Sequence, residues 1–129
     1  MLLDTHVVLW MLSDDPQLGP KARAAISAEL DVLVSAGSLW EMAIKQSSGK
    51  LQVPSDIIER LEKTGARWLD VSADHAWSVD RIEGLPHSDP FDRLLIAQAA
   101  SENMNLMTAD RTLLGYDGTP AVGLIDARL

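Results

Sequence analysis

The stretch DPFDRLLIAQAASENMNLMTAD, at residues 89–110, decides the fold of this chain. Its first part predicts a helix from Pro90 through Ala100, because proline suits the first helical position and apolar residues recur along the segment. Asp89 is predicted to cap this helix. Leu106–Thr108 is a short apolar run without alternation, which is typical of a buried strand. The stretch therefore predicts a helix followed by a strand of a sheet that is covered on both faces.

The same alternation of strand and helix extends over the rest of the chain. Further short apolar strands are predicted at residues 1–4, 32–34, 68–71 and 121–125. Helices are predicted over residues 7–12, 20–30, 39–44, 54–61 and 73–82, and a loop through residues 84–88 leads to Pro90. We expect one α/β domain over residues 1–129, built as a three-layer sandwich in which helices flank a short parallel sheet of four or five strands.

Composition excludes several classes of protein. The 129 residues include 11 Lys and Arg against 19 Asp and Glu, a net charge of −8, and no cysteine. The chain therefore has no disulfides, thiolate metal sites or thiol catalysis. The longest apolar run, at residues 7–12, is too short to cross a bilayer, so we expect a cytoplasmic protein without a membrane partner. The negative charge argues against broad electrostatic adhesion to nucleic acid.

Four carboxylates are predicted next to strand ends. Asp4 ends the first strand, Glu41 lies in the first turn of the helix after the second strand, Asp92 lies in the first turn of the helix opened by Pro90, and Asp110 follows Leu106–Thr108. Sites in open parallel sheets form outside the carboxyl ends of the strands. Converging carboxylates repel one another unless a cation is bound, and Mg²⁺ or Mn²⁺ suits oxygen ligands. The pattern predicts a metal-dependent phosphoryl-transfer enzyme without selecting RNA as its substrate.

Two alternatives remain open at this point. Ser38 and Glu41 fit a capping box, and residues 89–92 have the same form, so the acids would cap helices in a non-catalytic binding module. The second alternative is a phosphatase that uses Asp4 as a covalent nucleophile. That chemistry usually needs a second aspartate two residues later, where this chain has histidine.

Four motifs are spread along the chain: MLLDTH at residues 1–6, VSAGSLWEMAIK at 34–45, DPFDRLLIAQA at 89–99 and TAD at 108–110. In this order they resemble the PIN-domain family, and most closely its small VapC-type toxins of prokaryotic toxin–antitoxin pairs. The resemblance implies a Mg²⁺-dependent endoribonuclease, with Mn²⁺ as the alternative ion, an RNA substrate, a cognate VapB-type antitoxin and a homodimer. The family's catalytic, metal-binding acids carry over onto Asp4, Glu41, Asp92 and Asp110.

The resemblance also implies a local source of phosphate affinity that the net charge does not provide. Besides the metal, Arg93 and Lys45 are candidates for substrate binding, and Thr108 is a candidate for positioning a metal-bound water. Lys45 is equally well explained by a helix-stabilising pair with Glu41 four residues earlier. Asp89 is assigned to the helix cap, although Asp89 and Asp92 are one turn apart and both could face the same site.

Four tryptophans stand out in a chain with one Phe and one Tyr. Core packing is the first expectation for all of them. The alternative is that Trp10 and Trp40 line a groove for an antitoxin peptide or a dimer contact.

Overall fold

A five-stranded sheet forms the centre of the computed structural model, which describes residues 1–86 and 89–129. Every strand pair is parallel, and the spatial order is β3-β2-β1-β4-β5. The strands are β1 (Leu2–Leu3), β2 (Leu33–Ser35), β3 (Arg67–Leu69), β4 (Leu106–Thr108) and β5 (Leu124–Asp126). The predicted α/β fold with a short parallel sheet is confirmed.

Helices connect the strands and bury both faces of the sheet. Their bounds are α1 (Thr5–Ser13), α2 (Pro20–Ala28), α3 (Ala36–Ser47), α4 (Ile57–Lys63), α5 (Ala73–Ser78), α6 (Pro90–Ser101) and α7 (Arg111–Leu114). Consecutive strand residues belong to different cores, because side chains alternate between the faces of a sheet. Leu3 packs in the core that includes residues of α1, α2 and α4, whereas Leu2 packs in the core that includes residues of α6 and α7.

The start of α3 differs from the prediction. The helix begins at Ala36, directly after β2, and the Ser35 side chain caps it by accepting a hydrogen bond from the Gly37 N–H at 2.9 Å. Ser38 lies inside the helix, so the predicted capping box of Ser38 and Glu41 is wrong. Glu41 is therefore beyond the first turn, and helix capping does not explain its presence.

Other element bounds shift for local reasons. β5 begins at Leu124 because β4 offers only three residues to pair with, and Leu106 is opposite Leu124. Helix α2 ends at Ala28, before the fully exposed Leu30. The helix predicted from Pro54 begins three residues later, and the helix predicted over residues 73–82 becomes α5 followed by a 3₁₀ turn at Val79–Arg81. Residues 87 and 88 of the predicted loop lie outside the described part of the chain.

The tryptophans do not all pack in the core. Trp40 and Trp77 are 62% and 75% exposed, so the expectation of burial is wrong for both. Trp10 and Trp68 are partly buried against the core that contains Leu3. No helix within the described ranges is long and apolar enough to cross a membrane.

Candidate metal centre

The order of the strands creates a cleft at one edge of the sheet. The chain adds β2 and β3 on one side of β1 and then returns to place β4 on the other side. In open parallel sheets, such a reversal leaves a crevice outside the carboxyl ends of the two central strands. A cleft of about 300 Å³ lies at this edge, lined by Asp4, His6, Trp10, Glu41, Lys45, Asp89, Asp92, Ala109, Asp110 and Arg128. It contains all four acids that the sequence singled out.

Asp4 lies at the end of β1 and is 6% exposed. Its Oδ1 accepts a hydrogen bond from the Thr5 N–H at 2.7 Å, which makes Asp4 the cap of α1. Its Oδ2 accepts a hydrogen bond from the Thr108 hydroxyl at 2.6 Å. Burial raises the pKa of Asp4, and these hydrogen bonds act in the opposite direction. The central strands β1 and β4 thus hold this carboxylate in one orientation.

Glu41 is also 6% exposed, and both its oxygens have partners. Oε1 accepts a hydrogen bond from the Thr5 hydroxyl at 2.6 Å. Oε2 lies 2.6 Å from the Lys45 Nζ, and this hydrogen bond raises the pKa of Lys45. The predicted pairing of Glu41 with Lys45 is confirmed. Thr5, which the sequence also offers as a candidate to position a metal-bound water, connects two of the acids because it follows Asp4 directly at the start of α1.

Asp89 and Asp92 have different positions at the start of α6. The Asp89 Oδ1 accepts hydrogen bonds from the N–H groups of Phe91 and Asp92, at 2.9 and 3.3 Å, so its predicted role as the cap is confirmed. Asp92 lies in the first turn, and both carboxylates line the cleft. Burial first, and then the charges of the four neighbouring acids, raise the pKa of Asp92 to about 8. The repulsion shows that the negative charges converge on Asp92.

Asp110 follows β4 and caps α7. Its Oδ1 accepts hydrogen bonds from the N–H groups of Thr112 and Leu113, at 2.8 and 3.1 Å. Its own N–H donates to the Thr108 hydroxyl at 3.0 Å, while that hydroxyl donates to Asp4. Thr108 therefore fixes the relative position of the two acids that follow the central strands. The hydrogen bonds of Thr108 thus position the carboxylates of Asp4 and Asp110.

The donor set fits a hard divalent cation. Five carboxylates line the cleft, and carboxylate oxygens are the ligands that Mg²⁺ and Mn²⁺ prefer. Within the part of the chain that the structure describes, no three Asp, Glu or His side chains are spaced to enclose a metal ion. Mg²⁺ commonly keeps several waters and binds through one or two carboxylates, so an open group of acids suits it better than a closed cage.

Comparison with protein families gives a match over most of the chain. The sequence model of the PIN domain matches residues 1–118. The chain belongs to the PIN-domain family. Among curated proteins, Ribonuclease VapC22 of Mycobacterium tuberculosis is 29% identical over 126 residues, which cover 90% of this chain and 91% of the relative.

Solved structures show the same fold as this PIN domain. VapBC2 from Rickettsia felis, bound to a DNA fragment from the promoter, has a TM-score of 0.68 at 16% identity, with 97% of this chain and 96% of that chain covered. DNA-bound VapBC from Salmonella typhimurium has a TM-score of 0.67 at 16% identity and the same coverage. FitAcB from Neisseria gonorrhoeae has a TM-score of 0.63 at 21% identity, with 96% and 95% covered.

Of the two basic residues predicted to bind substrate, Lys45 lines the cleft of this PIN domain. Arg93 is not among the residues that line the cleft, and its Nη2 donates a hydrogen bond to the Leu85 carbonyl at 3.1 Å. Arg128, which was not among the predicted site residues, does line the cleft. The available signal was position: Arg128 lies two residues after β5, at the edge of the sheet where the acids follow their strands.

Proposed function

We propose that this PIN domain is a Mg²⁺-dependent endoribonuclease and the toxin of a toxin–antitoxin pair. The observation that carries the proposal is the convergence of Asp4, Glu41, Asp92 and Asp110 on one cleft at the carboxyl edge of the sheet. Membership of the PIN family supports it, as does a relative over most of the chain that is named a ribonuclease. RNA is the proposed substrate, and the cytoplasm is the proposed location.

In this proposal Mg²⁺ or Mn²⁺ binds in the group formed by the four acids, one or two of which would be direct ligands. Such an ion, when bound, neutralises charge on a phosphodiester and lowers the pKa of a bound water. Thr108 and Thr5 hold Asp4 and Glu41 in fixed orientations through buried hydroxyl hydrogen bonds. Preorganised ligands of this kind reduce the reorganisation that cation binding would otherwise require. Lys45 positions Glu41 and limits the negative charge at this side of the cleft.

The proposed protein partners are a VapB-type antitoxin and a second copy of the chain. Two structural neighbours of this fold are described as VapBC2 and FitAB bound to DNA, and a third is described as a toxin–antitoxin complex. The exposed Trp40 ring, whose centroid lies 5.5 Å from that of Phe91, is a candidate anchor for either partner.

The non-catalytic alternative has its own support, because Asp4, Asp89 and Asp110 do cap helices. If the acids have a purely structural role, removing the Asp92 charge should change neither the binding of divalent ions nor the fate of added RNA. The nuclease proposal predicts that the same change removes activity.

Cleavage of total cellular RNA by antitoxin-free protein distinguishes these functions. Wild type, Asp4→Asn and Asp92→Asn are compared in Mg²⁺ and in EDTA, with Asp117→Asn as the control for loss of one exposed negative charge outside the cleft. We expect fragments only in Mg²⁺, from wild type and Asp117→Asn. Equal fragmentation by all four proteins, or none by any of them, would contradict the proposal.

A further inference from the structure

The charge of the cleft is unfavourable for an anionic substrate. Its lining contains five carboxylates, and the basic side chains that the described part of the chain contributes to it are those of His6, Lys45 and Arg128. The whole chain adds to this with a net charge of −8. A bound cation would offset part of the negative charge, but a phosphodiester approaching the cleft also gains from a basic group that is not already neutralised.

Arg128 differs from the other arginine and lysine candidates in this respect. The Lys45 ammonium is 2.6 Å from the Glu41 carboxylate and is largely neutralised by it. Arg93 lies outside the cleft lining. Within residues 1–86 and 89–129, Arg128 forms no ion pair with a carboxylate.

The Arg128 guanidinium is held in place at the cleft wall. Its backbone N–H donates to the Asp126 Oδ1 at 2.9 Å, which fixes the turn after β5. Its Nη1 donates a hydrogen bond to the carbonyl of Ala109, the residue before Asp110. Its Cζ lies 5.6 Å from the centroid of the Trp10 ring, within the range of a cation–π contact. The carbonyl and the ring anchor the group without cancelling its charge.

We propose that Arg128 binds a phosphate oxygen of the substrate RNA and that Trp10 is its positioning residue. The inference rests on the proposed ribonuclease function. A guanidinium has five N–H donors in a planar fork that suits phosphate, and Ala109 takes one of them. Arg128 therefore supplies affinity for the substrate next to Asp110. This is the role that the sequence prediction gave to Arg93.

The experiment measures RNA binding separately from cleavage. Wild type and Arg128→Ala are titrated with a fluorescein-labelled single-stranded RNA of mixed sequence in Ca²⁺, by fluorescence anisotropy, and electrophoresis verifies that the RNA stays intact. We expect Arg128→Ala to bind about tenfold more weakly. Over about 50 to 200 mM KCl, the slope of log affinity against log salt should become less steep by about 0.7, the value for one phosphate contact on a single strand.

Three variants separate phosphate binding from a structural role. Arg128→Lys keeps the charge and should recover the salt slope and part of the affinity. Arg67→Ala removes an arginine at the start of β3, at the opposite edge of the sheet, and should behave as wild type. Trp10→Leu should weaken RNA binding less than Arg128→Ala, and the double variant should be no weaker than Arg128→Ala alone, because both changes act through one group.

Cleavage and metal binding complete the test. Arg128→Ala should raise KM for RNA with kcat little changed, and its Mg²⁺ affinity without RNA should equal that of wild type. If wild type cleaves RNA but the variant has the same KM and salt slope, the role of Arg128 is refuted and the nuclease stands. Loss of Mg²⁺ affinity or of folding in both Arg128→Ala and Arg128→Lys would assign Arg128 to the structure of the site instead. If wild type neither binds nor cleaves RNA, both proposals fail.

Discussion

Replacing Asp92 with Asn is expected to stabilise the metal-free protein at alkaline pH. Burial and the neighbouring acids raise the pKa of Asp92 to about 8, from an ordinary value of 3.8. The folded protein therefore binds this proton more tightly than the unfolded chain does. Its free energy of unfolding falls as the pH rises between these two values, because the unfolded state releases the proton first. The Asn variant has no such loss.

The magnitude follows from the shift and from the position of the side chain. A rise from 3.8 to about 8 corresponds to roughly 6 kcal/mol for a fully buried group. Asp92 is only partly buried, so solvent screening reduces our expectation to about 2 kcal/mol at pH 8. For a chain of this length that is a rise in Tm of roughly 6 to 8 °C. Near pH 5 the expected gain in stability is about a quarter as large, because pH 5 lies only a short way above the pKa of 3.8 at which the loss begins.

Thermal unfolding followed by circular dichroism, in EDTA between about pH 5 and 8, tests this expectation. Asp117→Asn is the matched control, because it removes an exposed carboxylate outside the cleft. Added Mg²⁺ should raise the Tm of wild type and of the control but not that of Asp92→Asn. A variant that is no more stable than wild type at pH 8, or whose gain in stability does not depend on pH, would show that the Asp92 charge does not destabilise the metal-free protein.

Three further substitutions test the supports of the site. Thr108→Val removes the buried hydrogen bond from the hydroxyl to Asp4, so it should lower the free energy of unfolding in urea by about 1 to 3 kcal/mol. Thr108→Ser should regain most of this stability, and equal stability of all three proteins would contradict the prediction. Gly37→Val should lower the free energy of unfolding by about 1 to 3 kcal/mol, because a Cβ at this position would lie 2.6 Å from the Leu94 Cδ2. The loss should be smaller when Leu94→Ala is also present. Lys45→Met should lower the Tm of the metal-free protein, because it leaves the buried Glu41 carboxylate without its cation. It should also tighten Mg²⁺ binding in calorimetry, because it removes a positive charge from the cleft, and weaker binding would oppose that view.

The sequence was most informative where local and long-range preferences agree. The strand Leu106–Thr108 and the helix that begins at Pro90 combine strong burial with clear boundary residues, and both have the predicted position. Asp4 and Asp110 follow the two central strands, so the parallel sheet alone is enough to bring them to one edge. Their roles as metal ligands stay predictions.

Where two residues fit one local pattern, the sequence could not choose between them. Ser35 and Ser38 both suit a helix cap, and only the register of β2 in the sheet selects Ser35. Arg93 and Arg128 both suit a phosphate contact. Their positions relative to the cleft depend on the Leu85 and Ala109 carbonyls, which lie 8 and 19 residues away along the chain, and no local pattern encodes contacts at those separations.

The hydrogen bond between Thr108 and Asp4 joins residues that are 104 positions apart, and it has a consequence during synthesis of the chain. Strand β1 is made first but pairs with β4 on one side, so its second edge stays open until residues 106–108 have left the ribosome. Until then Asp4 lacks its hydroxyl donor and the cleft lacks the wall that carries Asp110. A nascent chain therefore cannot assemble this centre before the segment from Leu106 to Asp110 has been translated, about a hundred residues after Asp4.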